Sequence, residues 1–138
     1  MIESLHLLST VYMTGLIWFV QRVHYPMYAD VGSGHFARYE AAHNRRTGYV
    51  VIPAMLTELA TAILLFARQP IPLHLAGLVL IAVIWFSTFA LQVPCHKRLL
   101  AGFDATTHRL LVHTNWIRTL AWTARALMFT LPPAIPAA

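Results

Sequence analysis

Four stretches of this chain, residues 4–24, 47–66, 73–92 and 113–129, are each apolar enough to cross a membrane, and each carries one polar stripe at helical spacing. About 20 helical residues span a hydrocarbon core about 30 Å thick. Backbone in hydrocarbon must satisfy its own polar groups, so spanning segments are helices or closed barrels. Stripes that recur every three or four residues select helices. The pattern predicts an all-α fold, an integral membrane four-helix bundle with residues 1–138 as a single four-span domain. Composition agrees: charged residues make up 11%, against about 25% in soluble domains. The first span opens with Glu3 and has neither a basic leader nor a small-residue cleavage site, so it reads as a retained helix. The single cysteine, Cys95, allows no intrachain disulfide.

Breakers and caps divide the spans. Pro26 and Pro94 follow the first and third and are expected to stop them. Gln69-Pro-Ile-Pro72 reads as a tight turn, and Pro132, Pro133 and Pro136 are expected to end the last helix. Ser33 and Asp104 read as N-caps, from which residues 34–46 and 105–112 run as amphipathic extensions into the second and fourth helices. Pro53 lies inside the second span, where a kink is tolerated. The halves look alike. Ile17-Trp-Phe19 and Ile84-Trp-Phe86 each precede a proline, and His43-Asn-Arg-Arg-Thr47 is matched by Asn115-Trp-Ile-Arg-Thr119. Two pseudo-repeated helical hairpins are expected.

Charge sets the expected orientation. Arg22, Arg38, Arg45 and Arg46 flank the first connection, and Lys97, Arg98, Arg109 and Arg118 flank the third, whereas the middle turn has only Arg68. Under the positive-inside rule the two long connections, with the extensions on helices 2 and 4, are cytoplasmic and both termini lie outside. The expected location is a bacterial inner membrane. The basic residues flank spans and form no separate face, which argues against nucleic-acid binding.

The stripes contain Thr10, Thr14, Gln21 and His24; Glu40, His43, Thr47 and Glu58; His74, Trp85, Thr88 and Gln92; and His108, Asn115, Arg118, Trp122 and Arg125. A polar group facing lipid is costly, so all four should face a common interior. Thr10, Thr14, Thr61 and Thr88 are read as interhelical glue. Glu58, Arg118 and Arg125 differ, because an ionisable residue at mid-span costs about 2.5–3.5 kcal/mol and marks a candidate site. An ion pair between Glu58 and Arg125 is expected. Gln21, His24, Glu58, Gln92, Trp122 and Arg125 are the candidate ligand-binding residues. Trp122 is read first as core packing, with stacking on a flat ligand or on Arg125 as the alternative. Trp18, Tyr25, Tyr28, Trp85 and Trp116 are read as interfacial aromatics.

His24, His43, His96, His108 and His113 gather toward the expected cytoplasmic mouth, with His24, His43 and His113 as metal candidates. Glu40-Ala-Ala-His43 matches one Glu-x-x-His element of a di-iron site but lacks the second copy that chemistry needs. His43 and His113 occupy similar places in the two halves, as a bis-histidine haem would require. No cofactor is predicted from these patterns; haem, iron or copper is the alternative. Ser-His-Asp sets and glycine-rich phosphate loops are absent from the sequence, and Cys95 and His96, being adjacent, do not face each other on a helix.

Gln92-Val-Pro94 and Asn115-Trp-Ile-Arg-Thr119 carry a resemblance. The chain resembles the anthrone oxygenase-like (noranthrone monooxygenase-like) family of small membrane proteins, whose members typically have Asn-Val-Pro ending the third helix and Trp-Asn-x-x-Arg-Thr opening the fourth. Gln92 stands here for the Asn, and Trp116 follows Asn115 instead of preceding it. Tyr25-Pro26 and Pro53 also fall where the family often has prolines. The resemblance implies a four-helix membrane fold and, as in a few members, cofactor-free oxidation of a polycyclic aromatic to a quinone.

The expected function is therefore a polar pocket, open to the cytoplasm, for a small lipophilic phenolic or quinol-type molecule, with oxygenase-like chemistry if the protein is an enzyme. A neutral His43 or His113 would take the phenolic proton, and Asn115 and Arg118 would stabilise the oxyanion. The second expectation is an accessory or assembly subunit of a larger membrane complex, for which Ala60, Ala62, Gly77 and Ala82 would supply small-residue outer faces. A homo-oligomeric channel or transporter ranks last.

Overall fold

The computed structural model describes residues 1–131. Pro132, Pro133 and Pro136, expected to end the last helix, lie outside the described residues. Helix α1 (Ile2–Phe19) continues through a π-type turn (Val20–His24) and a 3-10 turn (Pro26–Asp30) into α2 (Ser33–Arg68). A turn at residues 69–71 leads to α3 (Pro72–Ser87), a second π-type turn (Thr88–Gln92) and α4 (Val93–Leu99), and α5 (Ala105–Thr130) completes the chain. No strand occurs among the described residues. The result is four long rods. α1 packs on α2 and α5, and α3 packs on the same two, so the rods close a ring. Two of them, Ser33–Arg68 and Pro72–Leu99, are long and apolar enough to cross a membrane. The other two carry more polar residues, including three arginines in α5.

Most of the expected boundaries hold. Asp104 caps α5: its side chain accepts the Thr107 N–H at 2.7 Å, and that bond holds its carboxyl below the usual range. Pro72 opens α3 as the turn at Gln69 requires. Two expectations are corrected. Ser33 is the first helical residue of α2; Gly32 precedes it and no side chain caps the helix. Pro94 does not stop the third rod, which runs on to Leu99. A helical proline clashes with the carbonyl four residues back and donates nothing to it. Here the preceding π-type turn widens the helix by one residue, and the Val93 N–H reaches back five residues to Thr88 O. The Tyr25 N–H does the same to Val20 O at 2.9 Å, one residue before Pro26. Both π-type turns thus sit directly ahead of the proline that each accommodates.

The distribution of polarity is inverted relative to a water-soluble bundle. Leu8, Tyr49 and Phe86 are exposed to 67%, 75% and 72%, while Glu40, Asn115 and Arg125 are wholly buried. Polar side chains inside are nearly as numerous as apolar ones. Small residues do not form one outer face. Ala62 and Gly77 are buried, and a Cβ on Gly77 would meet the Phe129 ring at 3.0 Å. Only Ala60 and Ala82 of the four point outward.

Candidate functional site

A cavity of about 270 Å³ lies between the rods toward the end where both π-type turns fall. Its walls are mostly apolar, with Met13, Ile17, Met55, Phe89 and Trp122, and its polar lining includes Tyr25, His43, Gln92, His96 and Arg118, with Asn44, Thr47 and Thr88 beside them. This is the usual composition of a small-molecule site, a mostly apolar hollow with a few convergent polar groups.

Arg118 dominates the polar end. It is 8% exposed and donates from Nε to Asn115 Oδ1 at 3.0 Å, with a second bond from Nη2 to the same oxygen. Its remaining bonds go to Tyr25 OH at 3.3 Å and Thr88 Oγ1 at 3.4 Å. All these acceptors are neutral, and among the described residues no carboxylate pairs with it. Behind it the amides are ordered by necessity. Asn115 Oδ1 accepts from a guanidinium that can only donate, so its Nδ2 faces Gln21 Oε1, at 2.8 Å, and Gln21 Nε2 donates to Val112 O at 3.2 Å. Gln21 and Asn115 therefore hold Arg118 without themselves lining the cavity.

The same logic fixes Gln92. Thr114 gives its hydroxyl hydrogen to Leu110 O at 2.7 Å, so it must accept from Gln92 Nε2, 3.0 Å away. Gln92 Oε1 is then left as an acceptor, buried and without a partner. Buried acceptors of this kind are uncommon, and Gln92 is among the residues that line the cavity.

A second chain of bonds ends on the cavity. His96 Nδ1 lies 2.6 Å from Glu40 Oε1 and donates to it; His96 Nε2 is 2.9 Å from the Tyr25 hydroxyl. Glu40 is fully buried. Tyr25 is fixed from behind by His108 Nε2, which donates to its carbonyl at 2.7 Å. Burial raises the Tyr25 phenol above its ordinary value, against the opposing pull of Arg118. Glu40 was legible in a stripe, but Tyr25 and His96 were not legible as site residues: the π-type turn rotates Tyr25 inward from the face an unbroken helix would give it.

The remaining candidates are distributed as follows. His43 lines the cavity, and its Nδ1 bonds His24 Nε2 at 2.8 Å and Thr47 Oγ1 at 3.1 Å. Burial, with His96 and His24 nearby, pushes the His43 imidazole, which precedes the second span, down to about 3. A group so acidic is a poor base at neutral pH. His113 is exposed on α5 and lines no cavity, so it neither pairs with His43 nor takes a ligand's proton there. Among the described residues no three His, Cys, Asp or Glu side chains are arranged around a common metal position.

Glu58 and Arg125 form the expected pair, Nε to Oε1 at 3.0 Å. Glu58 also accepts from Thr10 at 2.9 Å and from Trp122 Nε1 at 2.9 Å. Arg125 further donates to Gly77 O and, at 3.2 Å, to His6 Nε2. Charge and hydrogen bonds are satisfied here, and Trp122 alone of this group reaches the cavity wall. The two buried arginines of α5 thus differ: Arg125 has its carboxylate and Arg118 has none.

No family profile, curated protein or solved structure matches the chain.

Proposed function

We propose that the chain is a multi-pass inner-membrane protein that takes a small, lipophilic phenol or quinol into its bundle and ionises its hydroxyl beside Arg118. The observation that carries the reading is the uncompensated charge of Arg118 at the wall of an apolar cavity. An arginine does not shed its proton, and a buried cation without a counter-charge costs several kcal/mol. A bound anion removes that cost. The free acceptor Gln92 Oε1 calls for a second group, a donor, on the same ligand. A dihydroxylated aromatic supplies both; a carboxylate lipid does not.

Membrane residence is supported by the two long apolar rods and by the exposed apolar exterior around a polar interior. The basic residues at the end bearing the two long connections favour a cytoplasmic position for that end. The paired π-type turns favour two pseudo-repeated hairpins. An aromatic oxyanion is the form that reacts most readily with dioxygen, so an oxygenase-like reaction is the enzymatic version of this reading, in keeping with the resemblance to the anthrone oxygenase-like family. In it Arg118 stabilises the oxyanion and Asn115 orients Arg118.

Absorption spectroscopy and mass spectrometry of gently purified protein test the reading. A co-purifying phenol or quinol is expected. A retained fatty acid, haem or stoichiometric metal in that cavity would overturn it.

A further inference from the structure

Arg118 explains how an oxyanion is held, but an ionising hydroxyl must also give its proton to something. His43 is poorly suited, since one ring nitrogen is committed to His24 and Thr47 and its imidazole is held far down. His113 faces outward. The second cavity, of about 250 Å³ beside His6 and His74, lies at the other end of the rods and contains no unpartnered buried polar atom.

We propose that Tyr25, His96 and Glu40 form the proton relay of the cavity, with Tyr25 the group that meets the ligand hydroxyl. This inference rests on the phenol-binding reading above. The geometry is that of a hydroxyl, a base and an orienting carboxylate: Tyr25 OH to His96 Nε2 at 2.9 Å, and His96 Nδ1 to Glu40 Oε1 at 2.6 Å. Tyr25 and His96 both line the cavity, while Glu40 is wholly buried behind them.

The step balances. The ligand O–H gives its proton to the Tyr25 oxygen as the Tyr25 hydrogen passes to His96 Nε2. Tyr25 ends neutral, His96 ends as imidazolium against the Glu40 carboxylate, and the ligand ends as the anion beside Arg118. One neutral hydroxyl and one neutral imidazole become two opposite charges, each placed against a pre-existing partner. Burial disfavours a free Tyr25 phenolate, as a group that hands a proton on without keeping a charge requires. Because Arg118 donates to the same Tyr25 oxygen at 3.3 Å, the receiving group and the charge-stabilising group converge on one point. The other titratable groups around the relay are His43 and His24, His108, Tyr28, Tyr39 and Cys95. Glu40 is a positioning residue here, since its hydrogen bonds go to His96 and Asn44 and it does not line the cavity.

The probe is 2-naphthol, whose absorption moves to longer wavelength on ionisation. Bound to the wild-type protein in detergent, it is expected to ionise at a pH at least about one unit below that of free 2-naphthol. Tyr25→Phe and His96→Gln should bind it more weakly than wild type, since both line the cavity, and should return the ionisation midpoint of the bound fraction toward the free value. Glu40→Gln should shift it part of the way. Unchanged midpoints in Tyr25→Phe and His96→Gln would overturn the relay while leaving phenol binding in place; failure of wild-type protein to bind 2-naphthol would overturn the underlying reading. A second measurement reads the histidines directly and leaves the relay residues unaltered. In ¹⁵N-histidine spectra of wild-type protein, adding 2-naphthol should protonate one imidazole, and that signal should persist in His43→Gln. No newly protonated histidine, or loss of the signal in His43→Gln, contradicts the proposal.

Discussion

Arg118 is held by Asn115, one turn earlier on the same helix, through two hydrogen bonds to a single amide oxygen. The bonds restrict the guanidinium without neutralising it, so its charge stays available to the cavity. Asn115→Asp would put a carboxylate in that place. It is expected to preserve the fold and to weaken 2-naphthol binding by at least about tenfold, since charge-assisted bonds are worth about 1.5–3 kcal/mol. Asn115→Ala should also weaken binding, by leaving the guanidinium unrestrained. Equilibrium binding on both variants, with circular dichroism as the folding control, checks this. Undiminished binding by Asn115→Asp would contradict it.

The Glu58 and Arg125 pair is structural in its energetics, with each remaining polar atom engaged by Thr10, Trp122, His6 or Gly77. Removing one partner strands the other charge. Glu58→Gln and Arg125→Gln should each lose about 3–5 kcal/mol of stability, and the double variant should lose clearly less than their sum. Unfolding in detergent measures the cycle. Additive losses would show that the pair is not coupled.

His43 gives a sign-definite pH dependence. Its folded value, about 3, lies below its ordinary one near 6.5, so the unfolded chain binds the extra proton first. The stabilisation from a neutral His43 is present above pH 6.5 or so and is lost as the pH falls from there toward 3. His43→Gln, which cannot protonate, should unfold at a lower pH than wild type. An unchanged acid midpoint would show that the imidazole is not held neutral.

Much of the architecture was legible because burial and periodicity express the same constraint. Gln21, Glu58, Gln92, Arg118 and Arg125 fall on stripes, and all are buried and hydrogen-bonded. The partnership of Glu58 with Arg125 followed from two costly ions at similar depth. The site's base did not follow. Stripe reading assumes 3.6 residues per turn, and each π-type turn adds a residue and rotates what comes after it. Tyr25 thereby moves from an apparent interfacial aromatic to the cavity wall, and Pro94 passes within a rod it was expected to end. His113 failed for the complementary reason: its likeness to His43 was one of sequence position, and position in a repeat does not fix which way a side chain faces.

The proposed orientation can be tested at the ends of the rods. The connection near Phe36 and Phe103, whose rings pack 5.1 Å apart, lies opposite the turn at Gln69. Reporter fusions should place the Gln69 turn outside the cytoplasm and the first connection within it. A cytoplasmic Gln69 turn would reverse the assignment of both ends.

The most direct test compares 2-naphthol with its methyl ether, 2-methoxynaphthalene, in wild-type protein and Arg118→Gln. The two ligands match in shape and lipophilicity, but only the first can become an anion. Wild-type protein is expected to prefer 2-naphthol by about tenfold or more at neutral pH, and Arg118→Gln should erase that preference while still binding the ether. Equal wild-type affinities, or a preference that survives Arg118→Gln, would contradict an oxyanion site built on the unpaired arginine.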